Sequence, residues 1–125
     1  MGLLDEWSRR AIERREGPIE FLGEQKGPVE DTLKRALIFE FATRPDVQRA
    51  YLARVGFQAG NEPSIAVCIL SKRPEDRSLV MRVGEIFRRH YAKEVGLDVL
   101  FLTAGQDGDL ARVCSPFYRG MGSGE

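Results

Sequence analysis

Six short hydrophobic patterns constrain the fold of this chain most strongly, because together they predict an ordered series of strands and helices. In chain order they are a strand at residues 19–22, a helix at 28–43, strands at 46–57 and 65–70, a helix at 74–96 and a strand at 97–102. The β-α-β-β-α-β order predicts an α+β domain of ferredoxin-like topology. In that topology, a four-stranded antiparallel sheet carries two helices on one face.

The segment at residues 46–57 is ambiguous, because its apolar residues fit both the helical and the alternating period. A short loop with Gly60, Asn61 and Pro63 separates it from the β-branched run at residues 65–70. Two runs joined by such a loop are typical of a hairpin, so we predict that residues 46–57 form a strand.

An additional amphipathic helix is predicted before the six patterns. Its apolar residues recur at helical spacing and comprise Leu3, Leu4, Trp7, Ala11 and Ile12. Gly17 and Pro18 end the pattern. The predicted organisation is therefore an N-terminal helix at residues 1–17, one domain at 18–119 and a flexible tail at 120–125, with a turn at 106–109 inside the domain.

The second strand of the predicted hairpin and the last predicted strand are apolar on both sides. Residues 65–70 and 99–102 have no polar alternation, which is typical of strands covered on both faces. The sheet face opposite the two helices is therefore expected to be buried. We expect its cover to be the N-terminal helix with Trp7, a second copy of the chain, or both.

Composition excludes several classes of function. The 125 residues include 19 basic and 19 acidic side chains, so no net charge attracts the chain to nucleic acid or to an anionic membrane. The longest apolar run is six residues, far short of the roughly 20 that a membrane-spanning helix needs. We therefore predict a cytoplasmic protein, with Cys68 and Cys114 as unpaired thiols in a reducing compartment.

No motif in the sequence has the residue types and spacing of a known catalytic or metal site. His90 has no second histidine or cysteine nearby, and Asp107 and Asp109 lack the further ligands of a calcium loop. Cys114 precedes Arg119 with one residue too few between them for a phosphatase loop, and Pro116 removes a donor from it. The sequence predicts no cofactor and no metal, and Cys114 is the only candidate for a reactive thiol.

Two motifs resemble a known family. The pattern Val-x-x-Ala-Tyr-Leu at residues 47–52 and the Pro-Phe-Tyr at residues 116–118 resemble elements of the C-terminal domain of SseB, the enhanced serine sensitivity protein family. The hairpin, the long helix and a Leu-Asp-Val strand follow in the family's order, so the resemblance spans residues 19–119. It implies the domain fold but transfers no catalytic residue, and a helix stands where full-length members have a preceding domain.

These observations predict a non-enzymatic protein-binding or assembly module that forms homo-oligomers, with no nucleic-acid or membrane partner. The residues expected to make the contacts are the aromatics Trp7, Tyr51, Phe57, Phe117 and Tyr118. Two alternatives stay open. One is an accessory factor or thiol carrier in sulfur or serine metabolism that uses Cys114, and the other is a regulatory domain that binds a small molecule.

Overall fold

The computed structural model of this chain describes residues 19–57, 64–73, 75–92 and 95–120. Its elements are β1 (Ile19–Glu24), α1 (Pro28–Phe41), β2 (Val47–Phe57), β3 (Ser64–Ser71), α2 (Arg77–Arg88), β4 (Leu97–Phe101), α3 (Ala104–Ala111) and β5 (Tyr118–Arg119). The α+β class is confirmed. The predicted N-terminal helix, including Trp7, and the end of the predicted tail lie outside the described residues.

The sheet is mixed, and this corrects the ferredoxin-like prediction of a purely antiparallel sheet with four strands. The strand order is β1-β2-β3-β4, in which β1 and β3 are antiparallel to β2 and β4 is parallel to β3. Helix α2 crosses over from the end of β3 and brings β4 alongside it in the same direction, as βαβ units do. The prediction failed because the order of elements along a chain does not fix the order of strands in a sheet.

The long strand β2 carries two partners on one edge. Its residues 53–57 pair with β1, and residues Arg49 and Ala50 pair with Arg119 and Tyr118 of β5. Strand β3 occupies the other edge along almost the whole length of β2. Strands β1 and β5, the first and last of the described elements, therefore lie along the same edge of β2.

Helices α1 and α2 cover the first face of the sheet. Leu33, Leu37 and Phe41 of α1 are fully buried there, as their helical spacing predicts, and α2 adds Val83 and Phe87. Burial of each such side chain is worth about 1.5–3 kcal/mol. This apolar layer is the main core of the domain.

Helix α2 is shorter than the predicted span of residues 74–96. It begins after Asp76, whose carboxylate accepts a hydrogen bond from the Leu79 N–H at 3.2 Å. It ends at Arg88, because the N–H groups of Arg89 and His90 bond to carbonyls three residues back and tighten the last turn. The apolar residues beyond that point belong to the connection to β4.

Helix α3 and the segment after it cover the second face of the sheet. Leu110 and Cys114 pack there against Val55 and Leu100, all of them nearly inaccessible to solvent. The face is buried, as its two-sided strands predict. Among the described residues, this cover comes from α3 and the segment after it, which the sequence did not predict.

Helix α3 also replaces the turn predicted at residues 106–109. Thr103 and Gln106 form a capping box, in which each side chain bonds to the backbone of the other residue at 2.9–3.1 Å. Gly105 and Gly108 make the segment look like a turn in sequence, since glycine disfavours helix interiors. The cap and the packing of Leu110 outweigh that preference.

Candidate functional site

A polar cluster of Arg49, Tyr51 and Asp107 joins α3 to the sheet. The Arg49 guanidinium binds the Asp107 carboxylate through Nε at 3.2 Å and Nη2 at 2.6 Å, and the Tyr51 hydroxyl donates to Oδ1 at 2.7 Å. Tyr51 is 1% exposed and Asp107 is 9% exposed. Such charge-assisted, bidentate bonds in a half-buried place are stronger than surface ion pairs.

The ionisation of this cluster suits attachment rather than acid–base catalysis. Burial opposes ionisation of Asp107, but the bonds from Arg49 and Tyr51 outweigh it and lower the pKa of the carboxyl. Burial and the bond to Asp107 raise the pKa of Tyr51 to about 12. At neutral pH the carboxylate therefore stays charged and the phenol stays protonated, so neither group exchanges a proton readily.

A second cluster joins the first turn of α1 to the residues after α2. The Glu30 carboxylate accepts from the Tyr91 hydroxyl at 2.8 Å and from the Gln25 amide at 3.0 Å. Burial and the bond to Glu30 raise the pKa of Tyr91. The Tyr91 ring stacks on Phe87 with centroids 4.3 Å apart, so this cluster also serves packing.

The structure separates the aromatics predicted to make contacts. Phe117 and Tyr118 both pack against Phe41 of α1, and the Tyr118 hydroxyl donates to the Phe41 carbonyl at 3.2 Å. Tyr51 lies on the opposite face of the sheet, inside the domain. The backbone of Phe57 pairs with Ile19 at the end of β2, whereas Trp7 lies outside the described residues.

Both cysteines lie in the core of the second face. Cys68 is fully buried in β3, and burial raises the pKa of its thiol. Cys114 is 5% exposed, and burial raises its pKa to about 11. Its Sγ lies 3.7 Å from the carbonyl oxygens of Leu52 and Ser115. A thiol of that kind is almost wholly protonated at neutral pH, whereas nucleophilic chemistry needs the thiolate.

The outward side of α1 carries the largest exposed apolar side chain in the described part of the chain. Phe39 is 81% exposed, and the neighbouring Ile38 is 37% exposed. Sequence reasoning missed Phe39, although a signal was present. It falls outside the buried stripe of Leu33, Leu37 and Phe41, at a position where a helix on a sheet normally has a polar residue.

The described residues offer no grouping of histidine, cysteine or carboxylate side chains that could hold a metal ion. The helices seen in residues 28–41, 77–88 and 104–111 are all too short or too polar to cross a membrane.

The mixed sheet, with two helices on one face and one on the other, defines a small α+β domain. This chain belongs to the SseB protein C-terminal domain family, whose family model matches residues 22–119. The resemblance inferred from the motifs at residues 47–52 and 116–118 is thus confirmed. No curated protein and no solved structure matches the chain.

Proposed function

We propose that this chain is a non-enzymatic protein-binding module and that its contact surface is the outward side of α1. The observation that carries the proposal is the 81% exposure of Phe39. A phenylalanine held in water contributes almost nothing to folding, yet its burial against a partner is worth about 1.5–3 kcal/mol. Aromatic side chains are enriched in protein interfaces for this reason.

The neighbours of Phe39 support the same assignment. Ile38 lies beside it, and Arg35 and Ala42 are exposed on the same side of the helix, one turn before and one turn after it. Arginine is also enriched in interfaces, because its planar guanidinium both stacks and donates hydrogen bonds. The surface therefore combines an apolar centre with an arginine at its border.

The buried groups of the domain favour binding over catalysis. The thiol of Cys114 is nearly inaccessible and its pKa is about 11, which leaves the thiol-carrier alternative without an accessible nucleophile. The Asp107 carboxylate is bound by Arg49 and Tyr51 inside the domain. Each of these groups stabilises the fold.

Photocrosslinking from position 39 tests the proposal. A benzoylphenylalanine in place of Phe39 is compared, in cells that express the chain, with the same residue in place of Val113. Val113 is a matched control because it is 47% exposed and follows α3, on the other face of the sheet. We expect adducts of discrete mass from position 39 alone. No adduct from position 39, or the same adducts from both positions, would contradict the proposal.

A further inference from the structure

The exposed side of α1 has the spacing of a helix-packing surface. Four exposed residues, Thr32, Arg35, Phe39 and Ala42, follow one another at intervals of three, four and three along this side. The same intervals separate the a and d positions of a coiled coil, which pack one helix on another. We call these four residues the α1 seam. The seam predicts that the partner of this surface is itself a helix.

The α1 seam is complementary to itself when two copies run antiparallel. A two-fold axis at the level of residue 37 places each Arg35 opposite Phe39 of the second copy, and each Thr32 opposite its Ala42. The guanidinium then lies against an aromatic ring, a favourable cation–π arrangement that the symmetry forms twice. The small side chains of Thr32 and Ala42 at the two ends let the helix axes approach to about 8–10 Å.

Arg35 is available for this contact. In residues 19–57, 64–73, 75–92 and 95–120 it has no ion pair or hydrogen bond through its side chain, whereas Lys34 beside it binds Glu24 at 2.8 Å. The charged residue one turn before it, Asp31, is exposed and lies next to the seam. No competing contact within the described domain has to break before Arg35 meets a second copy.

We infer that the α1 seam joins two copies of this chain as an antiparallel helix pair. The inference rests on the proposed function and names the partner. Closed two-fold dimers are the commonest oligomers, and their interfaces must be self-complementary, as this seam is. One pair of helices buries less than the 1,200–2,000 Å² or so of a standard interface, so the dimer is weak and depends on concentration.

Disulfide trapping tests the geometry. One chain carries Thr32→Cys and a second chain carries Ala42→Cys, while the native Cys68 and Cys114 are buried and slow to react. Under mild oxidation, we expect the mixture to form crosslinked dimers at least about tenfold faster than either variant alone. Faster crosslinking of Thr32→Cys with itself would indicate parallel helices and overturn the antiparallel pair. Equal, slow rates in all three samples would overturn any seam contact.

Sedimentation equilibrium tests whether Phe39 of the α1 seam contributes to the dimer. Phe39→Ala is expected to weaken dimerisation at least about tenfold, as the loss of a central interface residue does. Val113→Ala, a truncation at an exposed site away from the seam, is expected to leave the dimer unchanged. A wild-type chain that stays monomeric up to about 1 mM would overturn the inference.

The two proposals fail in different ways. A monomeric chain that still yields adducts from position 39 retains the binding function but takes a different partner. A monomeric chain without adducts loses both proposals. Adducts that have the mass of two chains and are abolished by Arg35→Ala support both proposals.

Discussion

The two faces of the sheet are covered by different means. On the first face, α1 and α2 are held by a continuous apolar layer that includes Leu37, Phe41 and Phe87. On the second face, the shorter helix α3 combines a smaller apolar contact at Leu110 with the polar cluster of Arg49 and Asp107. A helix of eight residues buries too little apolar surface to be held by packing alone, so directional bonds supply the rest.

The comparison predicts that core truncation costs more on the first face. Leu37→Ala is expected to lower the free energy of unfolding by about 4 kcal/mol and Leu110→Ala by about 2 kcal/mol, within the known range of 2–5. Both leucines are fully buried, but a short helix near the end of the domain can shift into the space left by the lost atoms. Urea denaturation measures both values. An equal or larger loss at Leu110 would show that the two faces are equally rigid.

The second face should depend instead on its charge pair. Asp107→Asn is expected to lower the free energy of unfolding by about 2 kcal/mol, because it leaves the Arg49 guanidinium half-buried without its carboxylate. Asp109→Asn is the matched control on the same helix. Its side chain is 66% exposed and lies 3.8 Å from Arg112, so we expect a change within about 0.5 kcal/mol. Equal effects of the two substitutions would remove the distinction between the faces.

The contribution of Asp107 should fall in acid. Its pKa is lower in the folded state than in the unfolded chain, so its stabilisation is complete above the unfolded value of about 4 and is lost as the pH falls through the folded value. We expect the difference in unfolding free energy between wild type and Asp107→Asn to be constant near neutral pH and to shrink below about pH 4. Urea titrations from pH 7 to pH 2.5 measure it. A difference that grows in acid would mean that folding does not lower the pKa of Asp107.

The smallest expected effect belongs to the tyrosine of the same cluster. Tyr51→Phe removes the hydrogen bond from the hydroxyl to Asp107 Oδ1 but leaves the bidentate pair of Arg49 and Asp107, so we expect a loss of about 1 kcal/mol. A double-mutant cycle with Asp107→Ala, which removes the acceptor, isolates the bond. A coupling energy near zero would show that Tyr51 contributes only through the packing of its ring.

The first face could be predicted from the sequence, and the reason is its periodicity. The predicted helix at residues 28–43 corresponds to α1 at Pro28–Phe41, and the predicted strand at residues 65–70 corresponds to β3 at Ser64–Ser71. In α1 the apolar side chains repeat at the helical period, and in β3 they form an unbroken run of strand length, and both sets lie in the core. Such patterns are local, so they can be read without knowing the rest of the fold.

The second face could not be predicted in the same way, because its determinants are distant or weak in sequence. Arg49 and Asp107 are 58 positions apart, and neither has a neighbour that marks it as half of a pair. The capping box of Thr103 and Gln106 was a readable signal for α3, but two glycines obscured it. The parallel pairing of β3 with β4 depends on how α2 crosses the sheet, which no local pattern records.

The edge of β2 that β1 and β5 share has a consequence for biosynthesis. Of the described elements, β1 is the first to be made and β5 the last, and the contact of Arg49 with Arg119 in the sheet joins an early part of the chain to a late one. Gly120 lies so close to Val47 in space that a side chain at residue 120 would collide with the Val47 carbonyl. A nascent chain therefore exposes part of that strand edge until translation has passed residue 120, and a ribosome that stalls earlier leaves a template for unwanted strand pairing.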